Sequence, residues 1–148
     1  MLKGVDRIVT VKDATTLTPG KSVVSLLITP LIADRLRAAS QMFQKIKYHK
    51  LVFRVNSQCS TMTAGGYVAG FVKDLADEIP SESVAVQYLM SNTGSYTQPW
   101  WRSTVHNIRA SQRMFFTDKP ALGADAIREY SPGRFYVIVD STPSQTCP

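Results

Sequence analysis

The sequence has 148 residues and 44% hydrophobic content, a size at which one domain buries about 68–70% of its unfolded surface around a single core. With 19% charged residues, 8 glycines and 8 prolines it does not have a disordered composition, and no apolar run approaches the roughly 18 residues of a membrane-spanning helix. The net charge of +6 lies almost wholly in the first third, where Lys3, Arg7, Lys12, Lys21, Arg35, Arg37, Lys45, Lys47, Lys50 and Arg54 face only Asp6, Asp13 and Asp34. A basic face attracts polyanions with a salt-sensitive affinity, although the same charges also suit a merely solvated surface.

The start, MLKGVDRIV, has no basic segment leading into an apolar one and no small-residue cleavage site, so no secretory signal is expected. Arg7 to Lys12 and Val23 to Ile28 are β-rich runs and predict the first strands. A helix is predicted next. Thr29 suits its cap and Pro30 its first turn, while Ile32, Leu36, Ala39, Phe43 and Ile46 recur at helical spacing on one stripe. Arg35, Arg37, Gln41 and Lys45 fall off that stripe, towards solvent or a partner.

Leu51 to Val55 predicts a strand in which Leu51, Phe53 and Val55 alternate with Val52 and Arg54. Gly65 and Gly66 permit a tight turn with positive φ before a strand over Tyr67 to Val72. An acidic loop follows, and Ser83 to Met90 suits a second helix capped by Ser81 or Ser83. Further strands are predicted over Trp101 to Ile108, Arg113 to Phe116 and, after the turn Ser131-Pro132-Gly133, Phe135 to Val139. Trp100 and Trp101, at adjacent strand positions, would point to opposite faces, one into the core and one outward. Short strands between Gly, Pro, Ser, Thr and Asn clusters describe an all-β antiparallel sandwich or barrel. Cys59 and Cys147 have no metal or disulfide-framework spacing and are expected to be free thiols of a reducing compartment.

The ordered series of strand, helix, strand, polar turn, strand and acidic loop between Leu26 and Pro80 resembles the shell domain of nodavirus coat proteins, and more loosely those of sobemoviruses and tombusviruses. Gly65 to Phe71, GGYVAGF, followed by Asp74 and Asp77 in an Asp-x-x-Asp spacing, is the closest stretch. Trp100-Trp101 and Ser131 to Arg134, SPGR, extend the resemblance over most of the chain from Val23 onward. It implies an antiparallel jelly-roll sandwich with one or two short helices in its connections. The domains are then an arm with a short strand over 1–22, the shell domain over 23–140, and a tail or linker over 141–148. It also implies a structural role, self-assembling with copies of itself into an icosahedral shell around a single-stranded RNA genome. Such a chain belongs in the virion, is assembled in the host cytoplasm and does not enter a membrane.

Asp74 and Asp77 are the candidate metal site. Calcium takes 6–8 oxygens at about 2.3–2.6 Å, more than two aspartates supply, so the resemblance implies an ion bridging adjacent subunits. Without it, the clustered carboxylates, Glu78 beside them, repel. The expected subunit interface comprises Asp74, Asp77, Glu78, Trp100 and Trp101. The nucleic-acid candidates are Lys3, Arg7, Lys12, Arg35, Arg37, Lys45 and Lys47, contacting phosphates without reading bases.

The sequence departs from that family in two respects. Its first residues carry few basic groups for a genome-packaging arm, and the family continues into one more strand after Phe135 to Val139. Either the chain is a fragment of a longer coat protein, or Arg7 to Lys12 or a neighbour's arm completes the sheet. An enzyme is not expected: His49 and His106 have no metal spacing, and no nucleophile elbow or phosphate-binding loop exists. A cupin-type enzyme fails on the same missing histidines. The competing reading is a monomeric β-sandwich module binding nucleic acid or carbohydrate.

Overall fold

The structure is a computed structural model that describes residues 4–9, 18–73, 82–92, 94–108, 113–116 and 130–144. Among them are eight strands: β1 (Ser22–Leu27), β2 (Lys45–Ile46), β3 (Leu51–Val55), β4 (Gly66–Val72), β5 (Tyr96–Pro99), β6 (Thr104–Ile108), β7 (Phe115–Phe116) and β8 (Arg134–Ser141). Two α-helices, α1 (Asp34–Ser40) and α2 (Glu82–Met90), lie in the connections, with a 3-10 turn at Pro30–Ile32. Every pairing is antiparallel. One sheet has the order β1-β8-β4-β5, and β2–β7 and β3–β6 form separate two-stranded ladders. No helix among the described residues is long and apolar enough to cross a membrane.

Period-two patterning builds the sandwich. Tyr67, Ala69 and Phe71 of β4 and Phe135, Val137 and Val139 of β8 face one way and enter the main core. Leu51, Phe53 and Val55 of β3 and Ile108 of β6 pack against them from the opposite layer. Phe53 stacks on Phe135 with centroids 4.5 Å apart, which joins the two layers at their centre. The intervening residues Val68, Val72 and Ile138 face the other way, where Ala85 and Leu89 of α2 cover them. β4 is buried on both faces, which is why GYVAGFV is an unbroken run of small and apolar residues.

Gly65 has φ +97, and a Cβ there would lie 2.6 Å from the Thr142 carbonyl oxygen, so only glycine fits where the chain enters β4. Gly66 is needed for a different reason than a turn: it lies in the strand, and a Cβ would lie 2.7 Å from the Gln98 carbonyl oxygen on β5. After β8 the chain stays close to the sandwich through Ser144, whose N–H donates to the Ala64 carbonyl at 3.1 Å.

Several expected elements differ. The helix predicted to reach Ile46 ends at Ser40, whose Oγ donates to the Arg37 carbonyl at 2.8 Å as the last turn unwinds. Ile32, Leu36 and Ala39 keep their inward stripe, but Phe43 is 66% exposed, and Ile46 pairs with Phe115 in a ladder. Packing of Ile46 onto the core overrides the helical spacing. Thr29 makes no side-chain cap. Of the strand expected over Arg7 to Lys12, Arg7 to Val9 are exposed and irregular, and the remainder lies outside the described residues. Trp100 and Trp101 sit in a turn between β5 and β6 and not on a strand, closed by the Arg102 N–H donating to the Pro99 carbonyl at 3.0 Å. Tyr96–Pro99, polar and ending in proline, forms β5 at the sheet edge, where a missing donor is tolerated. Cys59 is not a free thiol but disulfide-bonded; the sequence's other cysteine, Cys147, lies outside the described residues.

Candidate assembly and nucleic-acid surfaces

The two rings of the Trp100-Trp101 turn meet different surroundings, although strand alternation, on which that expectation rested, does not operate there. Trp100 is 8% exposed, and its ring tilts against Tyr67 at 5.4 Å. Its Nε1 donates to the Ser141 carbonyl at 2.7 Å, tying the turn to the end of β8. The Trp100 carbonyl accepts from Ser57 Oγ, and the Ser57 N–H donates to Ser103 Oγ at 3.0 Å. Trp101, 40% exposed, is held outward by this anchored neighbour. A fixed, exposed indole offers large contact area at little entropic cost, which suits a contact between subunits.

A buried polar chain runs beneath the turn. Tyr67 Oη donates to the Arg102 carbonyl at 2.7 Å and lies 3.4 Å from Thr104 Oγ1, which is 3.1 Å from His106 Nε2. Burial pushes the Tyr67 hydroxyl up, with the Thr104 contact opposing part of the shift. His106 is 2% exposed, between the rings of Tyr96 and Phe135, and its Nδ1 has no hydrogen-bond partner. Burial lowers its pKa from the ordinary histidine value, and the backbone of Gly94 offsets part of that. Tyr48 Oη is likewise buried without a partner, and burial raises its pKa strongly.

The described basic candidates lie on different elements of the fold. Arg7 is exposed on the segment before β1, and Arg35 is exposed on α1. Arg37 is committed locally, its Nη2 donating to the Leu31 carbonyl at 2.9 Å. Lys45 lies on β2 with its Nζ 5.1 Å from the centroid of the Phe116 ring on β7, and Lys47 follows half-buried. Phe116 in turn sits 5.5 Å from the ring of Tyr130. Lys3, Lys12, Asp74, Asp77 and Glu78 lie outside the described residues. Among the described residues no three His, Cys, Asp or Glu are grouped to hold a metal ion.

Sequence reasoning missed His106 and the Phe116–Tyr130 pair. His106 shares the inward side of β6 with Thr104 and Ile108, alternating with exposed Val105 and Asn107, a period-two signal present in TVHNI. The aromatic pair has no local signal beyond Phe116 following Phe115, because Tyr130 reaches it only through the fold.

Comparison with known proteins matches residues 1–146 to the family described as nodavirus capsid protein. The chain belongs to that family. It is 31% identical over 138 residues to the capsid protein alpha of striped jack nervous necrosis virus, covering 93% of this chain and 38% of that relative's length. It therefore spans well under half of that relative. The fold is similar to that of Macrobrachium rosenbergii nodavirus, with a TM-score of 0.75 at 18% identity over 90% of this chain and 41% of that one. It is also similar to a T=1 subviral particle of a Penaeus vannamei nodavirus capsid protein deletion mutant, with a TM-score of 0.70 at 18% identity over 86% of this chain and 72% of that one. The sandwich is thus of the viral capsid shell type, an all-β jelly roll as the resemblance implies.

Proposed function

We propose that this nodavirus capsid family chain is the shell-forming part of a coat protein that self-assembles with copies of itself into an icosahedral shell enclosing single-stranded RNA. Its role is structural and non-catalytic, in a virion assembled in the host cytoplasm. The observation that carries the reading is the match to nodavirus capsid proteins over residues 1–146. The sandwich with Trp101 held outward from an anchored turn supports it further.

Trp101 is a subunit contact in this reading. Asp74 and Asp77, following β4, are calcium ligands completed by a neighbouring subunit, with Glu78 beside them; carboxylate oxygens in this spacing are the donors that calcium prefers. The ion would neutralise acids that otherwise repel across the contact, so chelation loosens the shell. Arg7, Arg35 and Lys45, exposed on the described surface, meet RNA phosphates, as do Lys3 and Lys12; Lys47 is half-buried and Arg37 is partly engaged by Leu31.

Electron microscopy of the purified protein, paired with nuclease challenge of the co-purifying RNA, tests the proposal. Uniform closed particles that protect RNA are expected. A species that remains at 16.4 kDa and protects no RNA overturns it.

A further inference from the structure

The β2–β7 ladder is too short to be a structural layer in its own right, yet it sorts its four side chains cleanly. Ile46 and Phe115, paired across the ladder, go to the core. Lys45 and Phe116, the other pair, go outward, and Phe116, 38% exposed, belongs to neither core cluster. Around that ring the fold gathers Lys45, with its Nζ 5.1 Å from the centroid, and Tyr130, with its ring 5.5 Å away at 41°. Lys47, half-buried, follows Lys45 two positions along the chain.

An exposed phenylalanine beside a second aromatic and under a lysine gains nothing for the core. It does match the chemistry of unpaired nucleotides, in which each base presents a π-face and each linkage an anionic phosphate. A duplex keeps its faces stacked inside, so the complementary ligand is single-stranded.

We infer that Lys45, Lys47, Phe116 and Tyr130 form a stacking site for single-stranded RNA, with bases on the Phe116 and Tyr130 rings and phosphates on the two lysines. This rests on the RNA-enclosing reading and deepens it: attachment has a base-dependent part that ionic strength does not remove, beside the salt-sensitive charge term. Since every base has a π-face, the site does not select sequence. The flexible lysine stem lets Nζ exchange the ring for a phosphate when RNA arrives.

The test measures binding of a labelled oligouridylate and of inorganic polyphosphate to the 148-residue chain across a salt series. Phe116→Ala is expected to weaken oligouridylate binding about tenfold at fixed salt, leaving the salt slope and polyphosphate binding unchanged. Phe116→Trp restores or tightens oligouridylate binding. Lys45→Ala weakens both ligands and lowers the salt slope by about 0.7. If Phe116→Ala misfolds by circular dichroism, Phe116→Trp decides alone: binding weaker than the parent's overturns the inference. Equal oligouridylate affinity for Phe116→Ala and the parent, equal losses for the two ligands, or no oligouridylate binding by the parent also overturn it. Particle formation is scored separately on the same variants, so failure of the stacking site and failure of the shell reading give different results.

Discussion

His106 gives this fold a specific weakness towards acid. Its ring is 2% exposed and wedged between Tyr96 and Phe135, with Phe53 opposite it across the β3–β6 ladder. Nε2 is 3.1 Å from Thr104 Oγ1, Nδ1 makes no hydrogen bond, and the Gly94 backbone offsets only part of the cost of charging the buried ring. Burial therefore depresses the folded-state pKa, whereas in the unfolded chain the ring titrates near 6.5.

Above about pH 6.5 the ring is neutral in both states and stability does not depend on it. As pH falls below that value the unfolded chain takes up a proton that the folded chain refuses, so stability falls through the window down to the depressed folded pKa and is constant below it. The steepest loss for one proton is about 1.4 kcal/mol per pH unit, or roughly 3–5 °C of melting temperature in a domain of this size.

The assay is thermal or urea unfolding of the parent and of His106→Gln between pH 8 and pH 5. Glutamine can still reach Thr104 and cannot titrate, and every other group is common to the two chains. The difference between the two stabilities should therefore shift towards His106→Gln on acidification. A difference that stays flat across the window, or moves in favour of the parent, refutes the reasoning.

The two tryptophans should respond oppositely to alanine substitution. Trp100→Ala removes a buried ring and its bond to Ser141 and costs about 3–5 kcal/mol in urea titration, whereas Trp101→Ala leaves the chain's stability within about 0.5 kcal/mol and lowers the yield of particles seen by microscopy. Reducing the disulfide at Cys59 should lower stability by about 2–5 kcal/mol, read as a lower melting temperature in the presence of a thiol reductant. Leu89→Ala, at a fully buried position on α2, should cost about 2–5 kcal/mol by urea titration.

Strand identity and facing were legible because alternation is a local property. Phe135, Val137 and Val139 against Tyr136 and Ile138 state which residues go to which side, and both core clusters follow that division. The failures share a cause that is not local. Ile32, Leu36, Ala39, Phe43 and Ile46 fit one helical stripe, yet Ile46 is claimed by Phe115 from a distant strand, and the helix gives way. Tyr96–Pro99 shows no β pattern of its own and is a strand because β4 offers it an edge.

The surfaces were less legible than the core for the same reason, carried one step further. Alternation and charge mark Lys45 as outward and basic, but they do not say what stands beside it. That is fixed by register between strands far apart in sequence, which sets Lys45 opposite Phe116 and brings Tyr130 alongside. A basic residue beside aromatic rings makes a different site from one beside solvent, since only there can a ring hold a base while the cation holds a phosphate. Arg35 and Lys45 are therefore indistinguishable as charges in the sequence and distinct as sites in the fold: both should carry binding that salt removes, and only beside Lys45 do the Phe116 and Tyr130 rings add a part that salt leaves in place.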